Sequence, residues 1–155
     1  MILLDTHIWL WWLLGDGSLS DTERDELDRL AARRELSISW ATLLETEILE
    51  RKGRITLLPD LEGWFRKAAD PDFISILPVD TRLIITQRGL PEDFHADPAY
   101  RLIAATSILS GYPLATHDRK IRESGAYEIW GVEGSGASQN NGRSISQLKA
   151  SKVPL

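Results

Sequence analysis

Short apolar runs alternate with segments of helical pattern along most of the chain, and this alternation constrains the fold more than any other feature. Apolar runs lie at residues 1–4, 73–77 and 114–116, and a stretch that alternates apolar residues with serine lies at residues 36–39; each precedes a helix-start signal or a helical spacing. Short apolar runs of this kind suit strands that are covered by helices on both faces of a parallel sheet. Strand–helix–strand units join through right-handed crossovers. The sequence therefore predicts an α/β domain with a central, mainly parallel sheet.

The length and composition fit one domain of ordinary size followed by a tail. The chain has 155 residues, of which 43% are hydrophobic and 26% are charged, as in soluble globular proteins. From residue 132 the composition changes, and residues 134–142 contain almost nothing that could be buried. We expect a folded domain over residues 1–131 and a flexible C-terminal tail over residues 132–155.

Charge and cysteine content exclude several classes of protein. The absence of cysteine rules out a disulfide framework and a thiolate metal site, and it fits a reducing cytoplasm. The first apolar run lacks a basic flank and residues 8–14 are too few to cross a bilayer, so we expect no signal peptide and no membrane segment. A net charge of -5 argues against a broad basic surface for nucleic acid. It remains compatible with a nucleic-acid enzyme whose acidic site is neutralised by metal ions.

Three aspartates stand where predicted strands end or where a buried helix begins. Asp5 follows the first apolar run, Asp118 follows the fourth, and Asp97 precedes Pro98 as the N-cap of a helix with proline at its first position. The carboxyl ends of parallel strands share one edge of the sheet, and ligands bind at that edge in open α/β folds. The three carboxylates are therefore expected to converge, although Asp5 could serve only as a helix cap.

Glu45 adds a carboxylate that points inward. On a helical wheel of residues 40–52 it falls inside the apolar arc, whereas Glu47 and Glu50 fall outside it. An inward carboxylate is costly unless it is paired or binds a cation, but a capping box with Thr42 would also explain the pattern. Several carboxylates in one pocket repel one another, and a hard divalent cation such as Mg2+ or Mn2+ relieves that repulsion.

Over residues 1–130 these pieces, in their order and spacing, resemble the PIN-domain ribonucleases, specifically the VapC toxins of type II toxin–antitoxin systems. The resemblance is carried by Asp5-Thr6-His7, Glu45, residues 97–106 and Thr116-His117-Asp118. It implies a three-layer α/β/α domain that gathers acidic residues around Mg2+ or Mn2+, cleaves RNA and is blocked by a cognate antitoxin. Carried over by position, Asp5, Glu45 and Asp118 match the family's acidic residues and are expected to be catalytic and to bind the metal. We expect Asp97 to join them as a metal ligand, and Thr6 and Thr116 to orient carboxylates.

One position departs from the family pattern. The family's buried helix usually begins Asp-Pro-x-Asp-Arg with the second aspartate in the metal site, and this chain has Tyr100 there. A phenol stays neutral near pH 7 and does not readily replace a carboxylate. Either Asp97 or a water replaces the lost ligand, or metal affinity and activity are impaired. The resemblance thus leaves two hypotheses, an active metal-dependent ribonuclease and a catalytically inactive PIN-like module that binds an antitoxin.

The remaining aromatic residues receive less specific predictions. Packing or surface roles are expected for His7 and His117, and the sequence assigns no role to His95. The tryptophans of the first helical segment are expected in the core or at an interface, and the apolar faces near that helix are the predicted homodimer and antitoxin surface. A phosphotransferase with Asp5 as nucleophile fits poorly, because the haloacid-dehalogenase pattern needs a second aspartate where His7 stands.

Overall fold

A four-stranded parallel sheet forms the centre of the molecule, as the sequence predicts. The computed structural model describes residues 1–125 and 128–131, so the predicted tail over residues 132–155 lies outside the described residues. The strands are β1 (Ile2–Leu4), β2 (Leu36–Ser39), β3 (Ser75–Leu77) and β4 (Leu114–Ala115). Their order in the sheet is β3-β2-β1-β4, and every pairing is parallel.

The position of β1 in the centre of the sheet explains why its sequence does not alternate between apolar and polar residues. Leu3 pairs with Ser37 of β2 on one side and with Leu114 of β4 on the other. Leu3 and Leu4 point to opposite faces of the sheet, and solvent reaches neither of them. Both faces must therefore be covered, which is the arrangement that favours apolar residues at every strand position.

The helices begin directly after the strands or after short turns. They are α1 (Thr6–Leu14), α2 (Asp21–Ala32), α3 (Trp40–Arg51), α4 (Leu61–Ala68), α5 (Thr81–Arg88), α6 (Pro98–Ser110) and α7 (Arg119–Glu123). Each has a serine or aspartate as its N-cap, namely Asp5, Ser20, Ser39, Asp60, Asp80, Asp97 and Asp118. Helix starts that follow strands therefore bring polar caps to the carboxyl edge of the sheet.

The structure corrects one predicted helix start. The Oγ of Ser39 accepts the N–H of Ala41 at 3.2 Å, so α3 begins at Trp40 and Thr42 lies inside the helix. The alternative of a Thr42–Glu45 capping box is therefore wrong, because the polar residue at the end of β2 already caps the helix. A capping box does begin α2, where Ser20 and Glu23 bond each other's backbone N–H groups.

Two hydrophobic clusters form the core. The first contains Trp9 and Trp11 of α1 with side chains from α2 and α4, and the second contains Ile103 and Ala104 of α6. Trp9 and Trp11 are 0% and 2% exposed, which confirms the core prediction for these tryptophans. Helices on both sides of the sheet give the predicted three-layer α/β/α arrangement. Within the described ranges, no helix has the length and apolarity that crossing a membrane requires.

Candidate active site

Asp5 lies fully buried at the carboxyl end of β1 and serves two purposes. Its Oδ1 accepts the backbone N–H of Ile8 at 2.9 Å and so caps α1. Its Oδ2 accepts a hydrogen bond from the hydroxyl of Thr116. The sequence left open whether Asp5 only caps a helix or belongs to a functional site. In the structure one carboxylate oxygen caps α1 and the other contacts Thr116.

Thr116 links Asp5 to Asp118 across more than a hundred positions of the chain. The Thr116 Oγ1 that donates to Asp5 also accepts the backbone N–H of Asp118 at 3.0 Å. Asp118 in turn accepts the N–H of Ile121 on Oδ1 at 3.0 Å and caps α7. Because Thr116 is 3% exposed, one buried hydroxyl fixes the relative position of the two aspartates.

Glu45 is inside the protein, as the helical wheel predicts. Its residue is 5% exposed, and it lies on α3, which packs against α1 and α6. One turn earlier on α3, the Oγ1 of Thr42 lies 3.5 Å from the Oγ1 of Thr6, which donates to it. The hydroxyl of Thr6 therefore contacts another threonine. Of the two threonines that were expected to orient carboxylates, Thr116 is the one whose hydroxyl contacts a carboxylate.

Tyr100 lies on the first turn of α6 and is completely buried. Its hydroxyl is 2.9 Å from Nδ1 of His7. Its ring stacks on His95, with 4.4 Å between the ring centroids and 26° between the planes. The phenol is thus held by one imidazole at its hydroxyl and by another at its face.

The pKa of Tyr100 shows which charges surround it. Burial raises the pKa of the phenol far above its usual value, and the negative charges of Asp5, Glu45, Asp118 and Asp97 raise it further. Four carboxylates from four different elements therefore act on one phenol, and the phenol stays neutral at physiological pH. These are the four residues expected to converge.

His95 contacts this site, although the sequence assigned it no role. Its Nδ1 accepts the backbone N–H of Asp97 at 3.0 Å, and its Nε2 lies 3.7 Å from Oδ2 of Asp118. Burial alone would raise the pKa of Asp118, but the hydrogen bonds from His95 and from the Ile121 N–H outweigh it and hold that pKa below its usual value. The only local signal was a histidine two residues before the cap of α6, which does not reveal its distant partner.

Glu23 is a second residue whose role sequence reasoning missed. Its Oε1 lies 2.6 Å from Nε2 of His117, next to Asp118, while its Oε2 accepts from the N–H and hydroxyl of Ser20. The imidazole of His117 also contacts the Trp11 ring, with 5.5 Å between centroids. The loop after β4 is therefore held by Thr116 on one side and by Glu23 on the other.

The donor set fits a divalent cation in its chemistry. Asp5, Glu45, Asp97 and Asp118 supply hard carboxylate oxygens, the ligands that Mg2+ and Mn2+ prefer. Their negative charges all act on the buried phenol of Tyr100, and a cation bound among them would relieve their mutual repulsion. Among residues 1–125 and 128–131, however, no three acidic or histidine side chains are close enough together to form a metal-binding group.

Comparisons with known proteins agree with this architecture. The family model for the PIN domain matches residues 2–126. Ribonuclease VapC22 of Mycobacterium tuberculosis is 31% identical over 121 residues, which cover 78% of this chain and 89% of that protein.

Solved structures of toxin–antitoxin proteins share the fold. VapBC2 from Rickettsia felis, bound to a DNA fragment from its promoter, matches with a TM-score of 0.63 at 17% identity and covers 84% of this chain and 98% of that chain. FitAcB from Neisseria gonorrhoeae matches with a TM-score of 0.62 at 20% identity and covers 84% and 97%. The family match over residues 2–126 and the relative that is 31% identical show that the chain belongs to the PIN-domain family and, within it, to the VapC-type proteins.

Proposed function

We propose that this protein is the toxin component of a type II toxin–antitoxin system and that it hydrolyses RNA phosphodiester bonds with the help of Mg2+ or Mn2+. The observation that carries the proposal is the pair of aspartates at the carboxyl edge of the parallel sheet, Asp5 and Asp118, which the buried hydroxyl of Thr116 holds together. The negative charges of Glu45 and Asp97 act on the same buried phenol, Tyr100, as the charges of these two aspartates. The similarity to a protein named a ribonuclease supports RNA as the substrate. The lack of cysteine agrees with action in the cytoplasm.

Each carboxylate has a distinct task in this proposal. Asp5 and Asp118, which Thr116 holds in a fixed relation, bind the metal ion together with Asp97. Glu45 orients the attacking water or binds a second ion. The bound cation supplies charge stabilisation at the scissile phosphate and lowers the pKa of water. Asp5 stays oriented because its two oxygens accept from the Ile8 N–H and the Thr116 hydroxyl.

A specific observation favours a second candidate function. Tyr100 places a neutral, fully buried hydroxyl among the carboxylates, and this hydroxyl is already hydrogen-bonded to His7. A phenol in that position supplies no charge to a cation at neutral pH. The alternative is therefore a catalytically inactive PIN module that binds the antitoxin without cutting RNA.

RNA cleavage by matched variants decides between these functions. We expect the wild-type chain to cleave total bacterial RNA with Mg2+ or Mn2+, to lose cleavage in EDTA and to lose it in Asp5→Asn. Asp60→Asn is the matched control, because Asp60 also caps a helix through its side chain but caps α4, away from the site. No cleavage by the wild type, together with cleavage by Tyr100→Asp, would establish the inactive module instead.

The surface that a partner protein can cover lies on α3, α5 and α6. The exposed large apolar side chains on these helices are Trp40, Leu44, Ile84, Ile85, Ile108 and Leu109. The first six residues of α1 are buried, whereas Trp12, Leu13 and Leu14 at its end are partly exposed, so the apolar surface expected near this helix stays a prediction. We assign the face of α5 and α6 to a second copy of the chain, and a cognate antitoxin completes the assembly.

A further inference from the structure

We propose that His95 is an internal competitor for the metal site, in which its Nε2–H covers the outward oxygen of Asp118 and must be displaced when a divalent cation binds that carboxylate. The inference rests on the proposed function, because it concerns the same cation. It adds a regulating residue to which the sequence assigned no role.

The imidazole of His95 is held in one orientation. Its Nδ1 accepts the N–H of Asp97 at 3.0 Å, so in the neutral ring the proton is on Nε2. That nitrogen lies 3.7 Å from Oδ2 of Asp118. Solvent reaches 17% of the His95 side chain and 11% of the Asp118 side chain, so water only partly screens their attraction.

Tyr100 provides a rigid base for this imidazole. The ring of Tyr100 is 0% exposed and its hydroxyl is fixed by His7 at 2.9 Å, so the surface on which His95 stacks is well defined. The His95 ring is already fixed by stacking and by the hydrogen bond at Nδ1, so it loses little further conformational freedom when its Nε2 faces Asp118. The cover over Asp118 is therefore preorganised.

The two oxygens of Asp118 explain why this contact competes with a cation. Oδ1 accepts the N–H of Ile121 as the N-cap of α7. Oδ2 is the oxygen that His95 faces, and a cation that binds there does not have to displace the Ile121 N–H from Oδ1. Metal affinity therefore includes the cost of moving the imidazole away from Asp118.

Mn2+ binding measured without RNA tests this inference. The full-length chain is titrated with Mn2+ while free Mn2+ is followed by electron paramagnetic resonance. We expect His95→Ala to bind Mn2+ on the order of fivefold more tightly than the wild type, which is the effect of a partly exposed charge-assisted contact. His95→Phe is expected to tighten binding as well, because it can keep a ring on Tyr100 and so guards against a folding defect, yet it has no N–H.

Two further variants define the outcomes. Arg82→Ala removes a basic side chain that faces Oδ2 of Asp80, a helix-cap aspartate outside the site, and its Mn2+ affinity is expected to stay within about twofold of the wild type. Asp5→Asn should weaken binding if Mn2+ occupies the proposed site. Equal or weaker binding by both His95 variants, or equal tightening by Arg82→Ala, overturns the role of His95 alone. Absence of Mn2+ binding in the wild type and in both His95 variants overturns that role and the metal site together.

Discussion

Glu23 is expected to make the fold sensitive to acid through its contact with His117. Burial alone would raise the pKa of Glu23, but hydrogen bonds from His117 and Ser20 outweigh it and hold the pKa at about 2 instead of 4.5. A carboxyl group whose pKa is lowered by folding stabilises the native state above its unfolded pKa. That stabilisation is lost as the pH falls from 4.5 towards 2.

The lowered pKa sets the size of the effect. A shift from 4.5 to about 2 corresponds to at most about 3 kcal/mol of stability at neutral pH. The side chain of Glu23 is 16% exposed and that of its partner His117 is 29% exposed, so solvent screens part of this energy. A contribution of about 1–2 kcal/mol remains after that discount.

Glu23→Gln isolates this contribution. Glutamine can keep the capping box with Ser20, since it accepts at the same position, but it has no negative charge for His117. We expect the variant to be less stable than the wild type by about 1–2 kcal/mol at pH 7, with the difference shrinking below pH 4.5. Urea unfolding followed by tryptophan fluorescence between pH 3 and pH 7 measures the difference, and unchanged m-values validate it.

The control for this experiment is Glu62→Gln. Glu62 also contacts a basic side chain, Arg66 at 2.6 Å, but its carboxylate is 82% exposed, so no comparable pH-dependent loss is expected. A Glu23→Gln variant as stable as the wild type at pH 7 would refute the reasoning. A stability difference of the same size at every pH would refute it equally, because the loss would then not come from the charge.

Two further predictions concern the site and the surface. Thr116→Val keeps the shape of the side chain but removes the donor to Asp5 and the acceptor for Asp118, so we expect the free energy of unfolding to fall by about 2–3 kcal/mol in urea titrations. A loss below about 0.5 kcal/mol would show that this hydroxyl does not tie the aspartates together. Ile85→Asp, at a position 71% exposed on α5, should turn a dimer into a monomer in sedimentation velocity while the chain stays folded. A wild-type chain that stays monomeric at every concentration would contradict the assigned dimer face.

The features that could be predicted from the sequence are those set by local physics. The four stretches that predicted strands became the four strands, and β1, which is buried on both faces, is apolar at every position. The inward direction of Glu45 followed from helical periodicity and is borne out by its 5% exposure. The start of α3 was misjudged because Ser39 and Thr42 are both capable caps, and only the end of β2 decides between them.

The contacts of the histidines could not be predicted, because distant parts of the chain create them. His117 meets Glu23, which lies 94 positions away, and Tyr100 meets His7, which lies 93 positions away. Nothing in the neighbouring residues of either histidine identifies its partner. A capping-box glutamate such as Glu23 also has a complete local explanation, so its second contact left no trace in the sequence pattern.

The aspartates show why a cap and a functional residue cannot be separated by local pattern alone. In a parallel α/β fold a helix starts at the edge where a strand ends, so the residue that caps the helix also faces the ligand-binding edge. Asp5, Asp80 and Asp118 each cap a helix through Oδ1. They differ in the partner of their second oxygen, Oδ2. The Oδ2 of Asp80 faces the exposed Arg82 at 3.3 Å, whereas the Oδ2 atoms of Asp5 and Asp118 face buried or half-buried groups of the site. The partner of the second carboxylate oxygen, which is a property of the tertiary structure, therefore distinguishes a site aspartate from a simple cap.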